Sequence, residues 1–247
     1  MSIAVPDRRA VREAARRRHA RRGAAIAAAS TVVVLGGLTA LVLTSQGWPN
    51  VRATFFSWPD FKEAFPDVLR GFWLDVRMFV VVEVVVLALG LVIALVRTTR
   101  APALFPLRLV AAVFTDLMRG IPTILLVYLI GFGIPALQLS GLPTDPVILG
   151  GAALALSYSA YVAEVYRAGI DSVSSGQRAA ALAVGLTQRQ TMRHVILPQA
   201  VRRVVPPLLN DFIGLQKDTV LVSYIGVVEI FRQSQIDEAG AFNFTPY

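Results

Sequence analysis

Residues 78–96 read MFVVVEVVVLALGLVIALV, and the assignment of this run decides the fold. It contains no proline, and fourteen of its residues are Val, Leu, Ile or Phe. As a helix it is long enough to cross a hydrocarbon core about 30 Å thick. Each of those apolar side chains favours insertion by about 0.3–0.6 kcal/mol, so together they supply roughly 4–8 kcal/mol. One acidic residue near the centre costs about 3 kcal/mol. Insertion therefore survives Glu83, and Arg97 and Arg100 mark the cytoplasmic end.

Composition extends that reading to the whole chain. Of 247 residues, 16% are charged and 55% hydrophobic, and mean hydropathy is +0.60. A soluble domain carries about a quarter charged residues. The net charge of +8 does not point to nucleic acid, because no interleaved aromatic surface accompanies it. Eight arginines instead crowd into residues 1–22 (Arg8, Arg9, Arg12, Arg16, Arg17, Arg18, Arg21 and Arg22), directly before an apolar run. This basic tail reads as a cytoplasmic anchor under the positive-inside rule, with contact to anionic lipid as a second use. There is no cysteine, and His19 and His194 stand far apart, so no metal site is expected.

Five crossings account for the hydropathy. The first lies in 23–45, too long for a secretory signal core and followed by no convincing cleavage site. Residues 46–75 form an extracytoplasmic, interfacial segment, broken by Pro49, Pro59 and Pro66 and rich in belt-forming Trp and Phe. The second crossing is 78–96. The third, 107–137, is interrupted at Arg119-Gly120-Ile121-Pro122, where proline predicts a kink. Asp116 and Arg119 are three apart on one helical face and are expected to pair. The fourth, 147–163, carries small residues suited to close packing in lipid and ends at Glu164 and Arg167. A cytoplasmic stretch follows, and a fifth crossing over 204–230 is broken by Pro206-Pro207, Asn210-Asp211 and Lys217-Asp218. The fold is an all-α polytopic transmembrane helical bundle with its N-terminus inside.

The polar stretch between the last two spans, GQRAAALAVGLTQRQTMRHVILPQA at 176–200, has its own grammar. Ser174 to Gln177 and Thr187 to Gln190 both fit a capping box. Gly185 sits where a left-handed cap would end the first helix. Pro198 is expected to stop the second. Helix, glycine turn, helix, stop describes either an amphipathic loop on the membrane surface or an element built to be held by another protein.

This stretch resembles the EAA coupling signature of ABC importer permease subunits, most closely the branch carrying polar amino acids. Gly176-Gln177, Ala180-Ala181, Gly185 and Leu197-Pro198-Gln199-Ala200 match it, while Ala179 stands where the signature has Glu. Arg119-Gly120-Ile121-Pro122, Ala160-Tyr161-Val162-Ala163-Glu164, Arg167-Ala168-Gly169-Ile170, Pro206-Pro207 with Asn210 and Phe212-Ile213, and Lys217-Asp218-Thr219 are similar to further family motifs in order. The resemblance covers roughly 68–235 and implies a type I importer-like permease core at 76–235 with a coupling loop at 171–199. The family continues into one more spanning helix, so 236–247 reads as a segment that stops before it.

The resemblance implies that ABC ATPase subunits dock on Gly176, Gln177, Ala179, Ala180, Ala181, Gly185, Leu197, Pro198 and Gln199. It also implies an extracytoplasmic solute-binding protein and a second permease subunit, identical or not, in the plasma or inner membrane. ATP and Mg would reside in the ATPase; a phosphate-binding loop needs Gly-Lys-Ser/Thr, and the two lysines, Lys62 and Lys217, do not fit it. No cofactor and no catalytic residue is therefore expected in this chain. Intramembrane ionisable and polar groups are pathway candidates: Glu83, Asn210, Lys217, Asp218 and Thr219, each with a structural reading alongside. Asp116, Arg119, Gly120, Pro122, Glu164 and Arg167 are assigned structural roles. A secondary transporter, or a membrane scaffold or sensor with a docking loop, remains the alternative.

Overall fold

The computed structural model describes the backbone of residues 8–99 and 101–247, and side chains at 17, 19–99 and 101–247. The start of the basic tail, most of its arginine side chains and Arg100 therefore lie outside the described residues. Every regular element described is helical. Contacts divide the chain into two units, Met1–Ser57 and Trp58–Tyr247.

In the first unit, α1 (Arg8–Leu43) contains an apolar span from His19 to Leu43, and all of that span's side chains are exposed. Such a surface suits lipid, which asks only that backbone groups be satisfied within the helix. A short α2 (Trp48–Phe55) follows, with Pro49 in its first turn, where a missing N–H is harmless.

The second unit begins with α3 (Trp58–Thr98), 41 residues in one helix. At 1.5 Å per residue it is about 60 Å long, roughly twice the hydrocarbon thickness. Residues 58–75 therefore lead as helix directly into the span, and Pro66 does not break it as the sequence reading expected. Pro59 lies in the first turn and Pro66 inside the helix. Pro66 and Lys62, whose carbonyl loses its partner, are both exposed, so solvent can replace that bond.

Next come α4 (Phe105–Gly120) and α5 (Thr123–Ala136), which meet at 105°. The expected kink is thus a complete break. Ile121 and Pro122 adopt extended ψ angles of 127° and 133°, as the residue before a proline prefers. Then α6 (Pro146–Asp171) starts on Asp145, whose carboxylate accepts the Val147 and Ile148 N–H groups at 2.8 and 3.2 Å. Beyond it lie α7 (Ser175–Ala183), α8 (Gln188–Thr191), a π turn (Met192–Ile196) and α9 (Leu197–Asp218). A 3-10 turn (Thr219–Ile225) and α10 (Ile230–Ala241) complete the chain.

By length and composition, three helices among the described residues can cross a membrane, and a fourth crossing is made only if the bent α4–α5 pair is one broken span and not a re-entrant loop. The fifth crossing expected over 204–230 does not meet that standard. Its helix, α9, carries Arg202, Arg203, Asn210, Asp211, Gln216, Lys217 and Asp218. It also runs unbroken through Pro206 and Pro207, against expectation. Val204, Leu208 and Leu215 hold it against the bundle, and packing overrides the two lost bonds.

The bundle is organised on α6. Met78, Val82 and Val86 of α3, Val127 of α5, Leu215 of α9 and Val222 of the 3-10 turn share one core with Ala153, Leu154 and Val162 of α6. Glycines let these elements approach. A Cβ at Gly90 would stand 2.7 Å from Val162 Cγ1, one at Gly150 2.6 Å from Val222 Cγ1, and one at Gly131 2.6 Å from Ile225 Cγ2. At Gly169 it would collide with Val204 Cγ1. In lipid, where burial of apolar surface gives helices no net attraction, such close approach is the main source of packing energy.

Gly90→Leu should therefore lower the thermal midpoint of the purified protein, with overpacking costing about 1–3 kcal/mol. Gly133→Ala, whose added carbon meets only Leu129 Cδ1 at 3.8 Å, should leave it unchanged. Equal midpoints for both variants would contradict the packing assignment.

Candidate functional site

The polar stretch forms an elbow between α6 and α9. The α7 helix begins on Ser174, whose hydroxyl accepts the Gly176 N–H at 3.2 Å. The reciprocal bond expected from the Gln177 side chain is not formed among the described residues. At its far end Gly185 takes φ +88°, with Leu186 N–H donating to the Ala181 carbonyl at 3.1 Å and Gly185 N–H to that of Leu182 at 3.0 Å. This pair of bonds is a Schellman cap, and it fixes the turn. The capping box at Thr187 is complete: Gln190 N–H donates to the threonine hydroxyl at 3.3 Å and Thr187 N–H to Gln190 Oε1 at 2.8 Å.

The expected stop before Pro198 is absent. A π turn carries α8 directly into α9, and Leu197 N–H reaches back to the Met192 carbonyl. Pro198 then occupies the first turn of α9, where its missing N–H is tolerated. The Gln199 side chain donates to the Val195 carbonyl at 2.9 Å.

The elbow is fastened to the bundle. Val173, Ile196 and Ala200 form a small core with Ile170, and the Arg203 guanidinium donates to the Ser172 carbonyl. Glu164 sits in an ion network beside it, 2.5 Å from Arg167 and 3.0 Å from Arg97, with Arg167 also 2.7 Å from Asp171. This network ties the ends of α3 and α6 together. Sequence reading placed Glu164 with Arg167 but did not find Arg97 as the second partner, because nothing in the spacing pairs residues 67 positions apart.

The outward side of the elbow is open. Gly176, Gln177, Ala179, Ala180 and Gly185 are exposed, as are Leu197 and Pro198, while Ala181 is buried and Gln199 half-buried. Val184, next to the Gly185 turn, is 79% exposed, and Leu182 and Met192 are also exposed. No Asp or Glu occurs between Asp171 and Asp211, whereas Arg178, Arg189, Arg193, Arg202 and Arg203 do. A small apolar tip with a basic surround is what remains for a partner.

The other candidates separate into two groups. Glu83 lies half-buried on α3, close enough to Asp211 of α9 for the two carboxylates to repel. Asp218 accepts the Tyr158 hydroxyl at 2.9 Å, and buried Thr219 donates to the Gln216 carbonyl at 2.8 Å, so these two are engaged within the bundle. Asn210 and Lys217 are exposed. Asp116 and Arg119 make no ion pair among the described residues, against expectation. Arg119 instead lies over the Tyr161 ring at 5.7 Å, and its carbonyl accepts the Tyr161 hydroxyl at 3.3 Å. An aromatic face competes well with an exposed ion pair. Gly120 and Pro122 form the α4–α5 break. Sequence reading also missed Tyr158, Asp75 and Glu229, whose partners are distant in the chain.

Comparison with known proteins supplies the family. The profile of the binding-protein-dependent transport system inner membrane component matches residues 88–245. The chain belongs to that family. It is 34% identical to a probable amino-acid permease, YxeN of Bacillus subtilis, over 191 residues, 76% of this chain and 82% of that one. It is 37% identical to the glutamine transport system permease GlnP of Escherichia coli over 188 residues, 76% and 84% of the two chains. The crystal structure of an amino acid ABC transporter with histidines superposes with a TM-score of 0.69 at 32% identity, covering 77% of this chain and 87% of that one. Inward-facing methionine transporter MetNI, at 22% identity and a TM-score of 0.55, shares the fold.

As a permease subunit of an ABC importer, the chain is a multi-pass membrane protein, and ATPase and binding-protein partners are general to its family. The cap at Gly185 is open space, so substitution there strains the backbone without a clash. Gly185→Val should cost about 1–2 kcal/mol locally and speed tryptic cleavage after Arg189 and Arg193. Gly185→Asn, which tolerates the left-handed region, should be cleaved nearly as slowly as the native protein. Identical rates for the valine variant and the native chain would contradict the assigned turn.

Proposed function

We propose that the chain forms half of the transmembrane pathway of an ATP-driven importer for polar amino acids, and that separate ATPase subunits grip its 176–197 elbow. A single observation carries the reading. The elbow presents an exposed apolar tip on a capped, rigid turn and is fastened to both α6 and α9. A loop that merely lay on a membrane would have no need of a Schellman cap, a capping box and a core of its own.

The division of labour follows from chemistry. ATP binds and is hydrolysed in the partner, since a phosphate cradle needs a Gly-Lys-Ser/Thr loop and neither Lys62 nor Lys217 lies in one. Closure of the ATPases pushes the elbow, and α6 and α9 turn that push into opening or closing of the path. A second permease subunit completes the path, and an extracytoplasmic binding protein delivers the solute. The arginine-rich N-terminus lies on the cytoplasmic side with the elbow, as the positive-inside rule requires. The amino-acid class is supported by the similarity to the permeases GlnP and YxeN, and by the polar residues Glu83, Tyr158, Asp211 and Asp218 between α3, α6 and α9.

Reconstitution tests this. In proteoliposomes holding the permease, its ATPase and its binding protein, one polar amino acid from a panel of glutamine, glutamate, arginine, histidine and cystine should stimulate ATP hydrolysis and enter the lumen. Val184→Asp at the elbow tip should reduce stimulated hydrolysis about tenfold, the equivalent of about 1.4 kcal/mol, while the permease still inserts. Uptake driven by an ion gradient without ATP would overturn the reading in favour of a secondary transporter. No response to any solute in a fully assembled complex would favour a scaffold.

A further inference from the structure

A groove of about 390 Å³ runs along α3 and α6 where the two helices lie side by side. Met78, Val81 and Val85 line it from α3, and Ile148, Ala152 and Ala155 from α6. Val81 and Ile148 stand up as ridges, 65% and 57% exposed, while Gly151 and Ala152 put almost no side chain between them. The helices descend in the same direction, since Gly151 meets Val82 and, further along both, Gly90 meets Val162. From residue 77 to 85 on α3, and from 147 to 155 on α6, the groove extends about 12 Å along the helix axes.

One charged residue, Arg77, joins this apolar lining at its end. It precedes Arg97 by 20 residues, which on a helix is about 30 Å, one hydrocarbon thickness. The two arginines therefore bracket the span, and the Arg77 end of the groove opens at the boundary opposite Arg97. Trp73, one turn further out and 52% exposed, suits the aromatic belt at that level. The Arg77 guanidinium lies over its ring at 5.2 Å, a contact that leaves the N–H groups at the guanidinium edge free to donate. Arg77 is itself exposed and has no carboxylate partner among the described residues. Asp145, at the same end of α6, spends its carboxylate on the Val147 and Ile148 N–H groups.

We infer that this groove seats one acyl chain of an anionic glycerophospholipid, with the lipid phosphate on Arg77. An α-helix with its side chains is about 10–12 Å across, so a 12 Å length takes about 1000 Å³, more than twice what the groove holds. A single hydrocarbon chain is narrow enough to enter, and a bilayer lipid brings a phosphate to the level where Arg77 lies. A planar guanidinium holds a phosphate by two parallel hydrogen bonds. A headgroup with no cation of its own suits that contact best, because a choline or ethanolamine would set a second positive charge beside Arg77. Seated there, the chain bridges α3 and α6. The inference needs the membrane span and not the transport reading.

Dioleoylphosphatidylglycerol and dioleoylphosphatidylcholine, titrated separately into the detergent-solubilised full-length chain with the subunits that co-purify, test the site through the thermal midpoint. Stabilisation should saturate with both lipids, at about fivefold lower concentration for phosphatidylglycerol, the scale of one basic residue at a lipid headgroup. Glycerol 3-phosphate, which has the phosphate and no chain, should not reproduce it. Arg77→Gln should abolish the preference for phosphatidylglycerol and leave phosphatidylcholine unchanged. Arg70→Gln, two turns further out on α3 and exposed, should keep the preference. Ala152→Phe, which fills the groove from an exposed position, should weaken both lipids; if that variant does not fold, Arg77→Gln still decides. Equal affinity for the two lipids in the native chain, or a preference that survives Arg77→Gln, would overturn the proposal. So would Ala152→Phe dissociating the oligomer, by light scattering, with lipid binding undiminished, since the groove would then belong to a second copy.

Discussion

At Gly90, Gly150 and Gly169 a valine from a neighbouring helix fills the space where a Cβ would stand, and the rest of the bundle is arranged around those contacts. All three involve α6: Gly90 of α3 receives its Val162, while its own Gly150 and Gly169 receive Val222 and Val204 from the last part of the chain. Lipid offers no hydrophobic penalty for separating two apolar helices, so the approach must be close enough for dispersion to hold them. Because Gly169 sits near the end of α6, the same packing that builds the core also fixes the start of α9. The elbow that leaves α6 and enters α9 inherits its position from there.

Polar ties repeat the pattern at the edges of the apolar core. Thr123 and Ser157 share a hydrogen bond at 3.2 Å, joining the start of α5 to α6. Tyr158 reaches α9, Tyr161 reaches α4, and Glu164 reaches α3. Each comes from one stretch of α6, and each lands on a different neighbour. Such bonds add little singly in a membrane, but they select one rotational setting of α6 among several that glycine packing alone would permit. The Glu164 network lies where α6 gives way to the elbow, so charge and packing converge on that junction.

Much of this was legible in the residues. The run at 78–96 announced a spanning helix, and the capping residues at Ser174, Gly185 and Thr187 announced the elbow, because both signals are local in sequence. What escaped reading was non-local. Pro66, Pro206 and Pro207 looked like breakers, yet their helices continue, because the bond lost at Pro66 faces solvent and packing outweighs those lost at Pro206 and Pro207. The pairing of Asp116 with Arg119 followed from helical spacing, but Tyr161, 42 residues on, supplies a better partner for Arg119. Asp75 and Glu229 are separated by more than 150 residues, and neither stood out until α10 folded back onto α3.

On the proposed function, the elbow, α6 and α9 act as one lever, moved from outside by a partner and stiff enough to pass that motion on. The absence of native cysteine allows spin labels to be placed at will. Paired labels at Val184 on the elbow tip and Ile148 near the far end of α6, both exposed, would report whether the lever bends. Double electron–electron resonance on the assembled transporter, without nucleotide and with ATP trapped, should give the same mean separation in both states. A change of several Å, on the scale of one element sliding past another, would show the elbow flexing independently of α6 and would contradict the account.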